Sequence, residues 1–284
     1  MCLLLHLRYA FRPRRGSSGF AFSSDCTQSH DPTHVNLQHA PASFDKSSAV
    51  VYPKFLTEAE GKSFIKEVSK RMKRKRFEHG HWDSVIVGYR EVELRIDDDF
   101  SNGTTSDSLN DTSLFVNAIQ RTRRHLEERH FLDRPNGCIR WIPCHAIDLS
   151  ADGRLDAHVD SVKFSGDIVA GISLLSDSIL RLKPCSDEWK SENDEERRET
   201  LASNSGHVDL YLPQHSLYVL SGMSRFSYTH ELLPSRSSFE FTRFESCESK
   251  TSDCSGKRII NVDRGRRLSV IFRDELQSKV AQLI

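Results

Sequence analysis

The 284-residue chain carries 40 basic and 40 acidic residues, so its formal net charge is zero and no overall field steers it toward nucleic acid or anionic lipid. The length is ample for a large core, and no apolar run approaches the ~20 residues needed to span a bilayer. Seven cysteines, an odd number without a C-x-x-C pair, favour free thiols in a reducing compartment over a disulfide scaffold.

The first acidic residue is Asp25. Ahead of it stand Arg8, Arg12, Arg14 and Arg15 among Ser17, Ser18, Ser23 and Ser24. An Arg- and Ser-rich, acid-free start is the composition of a mitochondrial transit peptide, read as residues 1–24; an untargeted tail is the alternative. Residues 25–49 are polar and rich in Ser, His and Pro, which reads as a linker.

Folded structure is expected from Val50. Thr57-Glu58-Ala59-Glu60 has the form of a capping box. Phe64, Ile65, Val68 and Met72 follow at helical spacing. The same stretch carries Lys66, Lys70, Arg71, Lys73, Arg74, Lys75 and Arg76, either a phosphate-binding edge or a solvated face with cations near the helix C-terminus. Val85 to Arg90 reads as a short strand, residues 97–110 as a polar loop, and Ser113 to Leu126 as a second amphipathic helix.

Strands dominate thereafter. The expected set is Cys138–Leu149, Asp167–Leu175, Ile179–Leu182, Val208–Leu212, Ser216–Leu220, Arg225–Leu233 and Arg267–Phe272. Many short strands separated by turn residues predict a mainly β fold with flanking helices: a double-stranded β-helix of the jelly-roll or cupin-like kind. Two polar inserts, near 186–206 and 234–257, read as solvated loops. The expected folded domain runs over residues 50–280.

His158-Val159-Asp160 carries the strongest chemical signal. On an extended segment a His and an Asp two apart share one face. Two His and one carboxylate form the facial triad of non-heme Fe(II) oxygenases. Alone, H-x-D is equally a surface turn. The third ligand is sought among His207, His215 and His230. His215 stands in a turn with its ring expected to be exposed, His207 ends a polar insert, and His230 lies in an apolar-rich strand. Arg267 and Arg273, six apart, fall on one strand face together with Ser269. Two inward guanidinium groups demand anions: the carboxylates of a cosubstrate, or structural partners such as Asp160 or Asp274. Tyr218 either adds a donor there or is a core tyrosine with one hydrogen bond.

Five segments taken together resemble the AlkB family of Fe(II)/2-oxoglutarate dioxygenases, in its mitochondrial branch of the AlkB-homologue-seven type. They are H-W-D-S-V-I-V-G-Y-R-E (81–91), H-V-D-S-V-K-F-S-G (158–166), S-L-Y-V-L-S-G (216–222), R-F-S-Y-T-H-E-L-L (225–233) and R-G-R-R-L-S-V-I-F-R (264–273). The resemblance spans roughly residues 50–275. It implies that His158, Asp160 and His230 bind Fe(II), and that Tyr218, Arg267, Ser269 and Arg273 hold 2-oxoglutarate. Ser269 stands where many family members have Asn. Also implied are O2 as a cosubstrate, a mitochondrial matrix location, and roles in programmed necrosis and fatty-acid metabolism. The branch lacks the substrate lid of nucleobase-repair members, and residues 97–110 are acidic and poor in aromatics, an unsuitable platform for stacking a base. A duplex-DNA substrate is therefore disfavoured. The expected substrate is a protein or other non-duplex molecule. Two other functions stay open: an RNA demethylase of mitochondria, or a regulatory interaction protein with incidental turnover.

Overall fold

The computed structural model describes residues 29–79, 85–95, 106–134, 138–163, 165–185, 206–241 and 258–276. The expected transit segment and the insert at 186–205 lie outside them.

Two antiparallel sheets form the body. The larger contains β2 (Ala49–Tyr52), β3 (Ile86–Leu94), β4 (Cys144–Leu155), β5 (Ile168–Leu174), β8 (Leu217–Ser221) and β12 (Arg267–Arg273), in the order β2-β8-β5-β12-β4-β3. The smaller contains β1 (Val35–Asn36), β6 (Ser178–Pro184), β7 (Val208–Leu212) and β9 (Tyr228–Leu232), in the order β1-β7-β6-β9. A hairpin of β10 (Ser237–Phe241) and β11 (Arg258–Val262) completes the β structure. This is the expected jelly-roll layout.

Residue parity sorts the core. In β5, Ile168, Ala170, Ile172 and Leu174 face the helices, as do Leu268, Val270 and Phe272 of β12. Packed on them are α1 (Glu58–Met72) and α2 (Ser106–His130), through Phe64, Val68, Met72, Phe115, Ile119 and Leu126. The opposite parity faces the smaller sheet, where Leu149, Tyr218 and Leu220 meet Leu180, Leu182, Val208 and Leu210. Covered on both sides, β5 is apolar at every position but Ser173, which is why 168–174 shows no alternation.

The capping box of α1 is present. Glu60 N–H donates to Thr57 Oγ1 and Thr57 N–H to Glu60 Oε2. Such a cap is worth about 1 kcal/mol. Arg121 adds a bidentate grip on Glu60 from α2, tying the two helices together.

Four expectations change. The stretch expected to be a linker supplies an edge strand: Val35 pairs with Leu210, and Phe44 is buried against Tyr228. Its few apolar residues are too sparse to show a period, yet enough to seal an edge. Helix α2 begins at Ser106, inside the expected loop, because Ser- and Asp-rich composition suits a helix N-terminus as well as a loop. A short helix, α3 (Gly222–Phe226), precedes β9 where a continuous strand was expected. The second insert begins with β10, whose Phe239 is buried against Ile179 and Val262.

The outer helices also bury a titratable cluster. Tyr52 Oη lies 3.0 Å from His130 Nε2, and its ring meets that of His125 edge-on. Burial, then the charges of His130 and Arg129, pushes His125 down to about 4. Burial, then His30 and Arg129, pushes His130 down to about 4. Unfolded imidazole titrates near ~6.5, so between about 6.5 and 4 the unfolded chain binds the extra protons. Stability is therefore expected to fall as pH drops through that window. Thermal midpoints of metal-free protein at pH 7.5 and 5 should show it. The drop should shrink in His125→Phe/His130→Gln; an equal drop in that variant assigns the acid sensitivity elsewhere.

Candidate metal centre

Two backbone hydrogen bonds build the centre. His158 N–H donates to the His230 carbonyl at 3.2 Å, and His230 N–H returns to the His158 carbonyl at 2.8 Å. This reciprocal antiparallel bridge joins the connection after β4 to the strand β9. Paired residues present side chains on one side, and the imidazole centroids are 4.1 Å apart. Asp160, two residues on, joins them. Its Oδ1 is 3.5 Å from His158 Nε2 and 4.0 Å from His230 Nε2. One ligand atom from each of the three residues falls within 4.8 Å of the others, and among the described residues no other group of three His, Cys, Asp or Glu does so.

The donor set fits a divalent metal. His158 Nδ1 is 2.9 Å from the Asp156 carbonyl, which can only accept. Nδ1 therefore carries a proton, and Nε2 is turned toward the centre, 3.5 Å from Asp160 Oδ1. Burial, then the adjoining His158 ring, drives the His230 imidazole down to about 3, against the pull of Asp160. It is thus neutral and available. Burial acts to raise the Asp160 carboxyl, but hydrogen bonding with His158 and the Arg273 charge prevail and hold it well below the usual carboxylate range. Arg273 Nε donates to Asp160 Oδ2 at 2.9 Å, leaving Oδ1 facing the imidazoles. One of the structural pairings open to Arg273 is thus realised, while the residue still lines the cavity.

That cavity, open to solvent, lies between the sheets. Tyr218, Arg267, Ser269 and Arg273 line it beside His158, Asp160 and His230. The even spacing along β12 places 267, 269, 271 and 273 on this face. Arg267 is 4% exposed, its Nε donates to Ser178 Oγ at 3.0 Å, and it hydrogen-bonds the Tyr218 phenol. Among the described residues no carboxylate pairs with it. A buried guanidinium facing a cavity without an anion beside it is a site for one. Burial raises Tyr218, so its phenol stays protonated and able to donate. Its ring lies over Gly171: a Cβ there would come within 2.4 Å of Tyr218 Cε1. The remaining wall is aliphatic, with Ile86, Ile147, Leu149, Leu155, Val169, Leu180, Leu232 and Ile271.

The rival histidines lie elsewhere. His207 stacks on His39, with centroids 4.8 Å apart. His215 is not exposed as expected; its ring rests against Gly61 of α1, beside Glu58. Lys73 to Arg76 is exposed beyond the end of α1, in keeping with a solvated face. Sequence reasoning passed over Ser178, Gly171 and Arg225. Only Arg225 left a signal, a cation opening an apolar-rich run.

Two curated relatives match the chain. The mitochondrial alpha-ketoglutarate-dependent dioxygenase alkB homolog 7 of Bos taurus is 30% identical over 230 residues, covering 80% of this chain and 79% of the relative. That of Mus musculus matches at the same identity and coverage. No protein-family model matches. Among solved structures, a prolyl hydroxylase from Trichoplax adhaerens is 9% identical with a TM-score of 0.46, over 84% of this chain and 87% of the other.

Proposed function

Because the chain belongs to the family of mitochondrial alpha-ketoglutarate-dependent dioxygenases named alkB homolog 7, we propose that His158, Asp160 and His230 hold its Fe(II), and that Arg267, Tyr218 and Ser269 bind the distal carboxylate of 2-oxoglutarate. Arg273 braces the metal-side end through Asp160. The observation that carries this reading is a cluster of two imidazoles and a carboxylate in the same cavity as a buried arginine that no carboxylate among the described residues neutralises.

Bound Fe(II) would supply the oxidation, in which O2 and 2-oxoglutarate yield succinate, carbon dioxide and one oxygen atom for the substrate. The chain's own groups do the rest. The neutral His230 imidazole and the Asp160 carboxylate offer lone pairs without first losing a proton. Arg267 is always charged, and its planar fork suits a carboxylate. In the Fe(II)-loaded protein, 2-oxoglutarate should bind without oxygen and give succinate when oxygen is admitted. Binding without any succinate would sink the dioxygenase reading for these residues.

The substrate in this reading is a protein or other non-duplex molecule. Its support is the aliphatic cavity wall, in which Tyr218 is the one aromatic besides the ligand histidines among the lining residues. The reading includes the matrix location, with residues 1–24 as the targeting segment. A fusion of residues 1–40 to a fluorescent reporter should enter mitochondria; a diffuse cytosolic signal would count against it. It also includes the roles in programmed necrosis and fatty-acid metabolism. If these need turnover, Asp160→Ala should fail to restore them in cells lacking the protein; restoration would favour the interaction reading. No helix among the described residues is long and apolar enough to cross a membrane.

A further inference from the structure

His158 and Asp160 stand on a connection outside any strand, so the bridge to His230 needs support from its other side. Arg225 is placed to give it. It lies in α3, just before β9, and is 2% exposed. Its Nη1 donates to the Asp160 carbonyl at 2.9 Å. Its Nη2 donates to the Ser161 carbonyl at 3.2 Å and to Ser165 Oγ at 2.7 Å. Its Nε is buried without an acceptor, and the guanidinium carbon is 5.0 Å from the centroid of the Phe226 ring.

Burying a cation costs several kcal/mol unless the surroundings compensate. Here every side-chain hydrogen bond that offsets the cost goes to one loop, the loop that begins at a ligand residue. Two of the acceptors are successive backbone carbonyls, and a planar fork can meet both at once where an ammonium meets one. Asp160 is thereby held twice: its carboxylate by Arg273, its main chain by Arg225.

We propose that Arg225 is a positioning residue of the metal centre, clamping the Asp160–Ser165 loop to the helix–strand unit that carries His230. It sets where the Asp160 carboxylate stands relative to the His230 imidazole. The proposal rests on the metal reading of His158, Asp160 and His230.

The test titrates Mn(II) into the full chain as wild type, Arg225→Gln and Arg225→Lys. The visible spectrum of each Co(II) form and the thermal midpoint of each metal-free form are also recorded. Arg225→Gln should weaken Mn(II) binding by roughly 10–100-fold, the usual range for a residue that orients a ligand, and should change the Co(II) spectrum. Arg225→Lys should fall between it and wild type. Wild-type Mn(II) affinity with an unaltered Co(II) spectrum in both variants, at whatever midpoint, would make Arg225 merely structural and overturn the proposal. Should Arg225→Gln not fold, Arg225→Lys decides by the same two readouts. Failure of the wild type itself to bind Mn(II) would overturn the metal reading and the proposal with it.

Discussion

Asp160→Ala is expected to purify as a folded protein without stoichiometric iron and without 2-oxoglutarate turnover. The substitution removes the one anionic member of a set that otherwise offers two imidazoles. The loss of affinity should exceed the ~10–100-fold that changes to supporting residues cost. The carboxylate also pairs with Arg273, whose side chain is 24% exposed. Releasing a cation that water can reach lowers the thermal midpoint without unfolding a body whose larger core lies on the far face of the sheet. Iron content and midpoint are measured on one sample. If Asp160 served only to pair Arg273, the midpoint would fall and the iron would stay. His230→Ala, which removes no ion-pair partner of Arg273, is the companion variant. Iron at wild-type stoichiometry in both would refute the assignment of these residues as ligands.

Arg267→Lys is expected to lower 2-oxoglutarate affinity more than tenfold while leaving metal affinity unchanged. Lysine keeps the charge and loses the fork. The hydrogen bonds lost with the fork amount to at least roughly 1.5–3 kcal/mol, the range for a single bond to a charged group. The buried position offers no water to replace them, since Arg267 is 4% exposed. A second variant separates the phenol from the guanidinium. Gly171→Ala would drive a methyl group into the Tyr218 ring and displace its phenol, without touching a proposed metal ligand. It too should weaken 2-oxoglutarate binding and spare the metal. Calorimetric titration of the metal-loaded forms reads both. Unchanged 2-oxoglutarate affinity in Arg267→Lys would make Arg267 a structural residue bonded to Ser178.

Strand positions were legible wherever a residue pattern recorded burial. The stretch Ile168–Leu174 reads as apolar at all positions but Ser173 because both its faces are covered. The Thr57 cap reads from four residues because its hydrogen bonds are local. Parity predicted that Arg267, Ser269 and Arg273 share a face, and they do. Where few apolar residues suffice, the pattern is silent. Val35 and Phe44 anchor a stretch that reads as linker, and Phe239 anchors a strand in what reads as a polar insert.

The site divides along the same line. By itself the sequence determined the pieces with a fixed local spacing: H-x-D, the R-x-S-x-x-x-R strand, and the order of strands around them. Which histidine completes the cluster was a choice among three, settled by the pairing of His158 with His230 across 72 residues of chain. The division of labour between the arginines was likewise decided in space. Arg273 meets Asp160, Arg267 meets Ser178 and Tyr218, and Arg225 meets the carbonyls of the ligand loop. Each partner lies 40 or more residues away in sequence or is a backbone atom that every residue possesses. A spacing rule sees only neighbours along the chain, and a carbonyl has no letter, so the folded sheets alone bring these groups together.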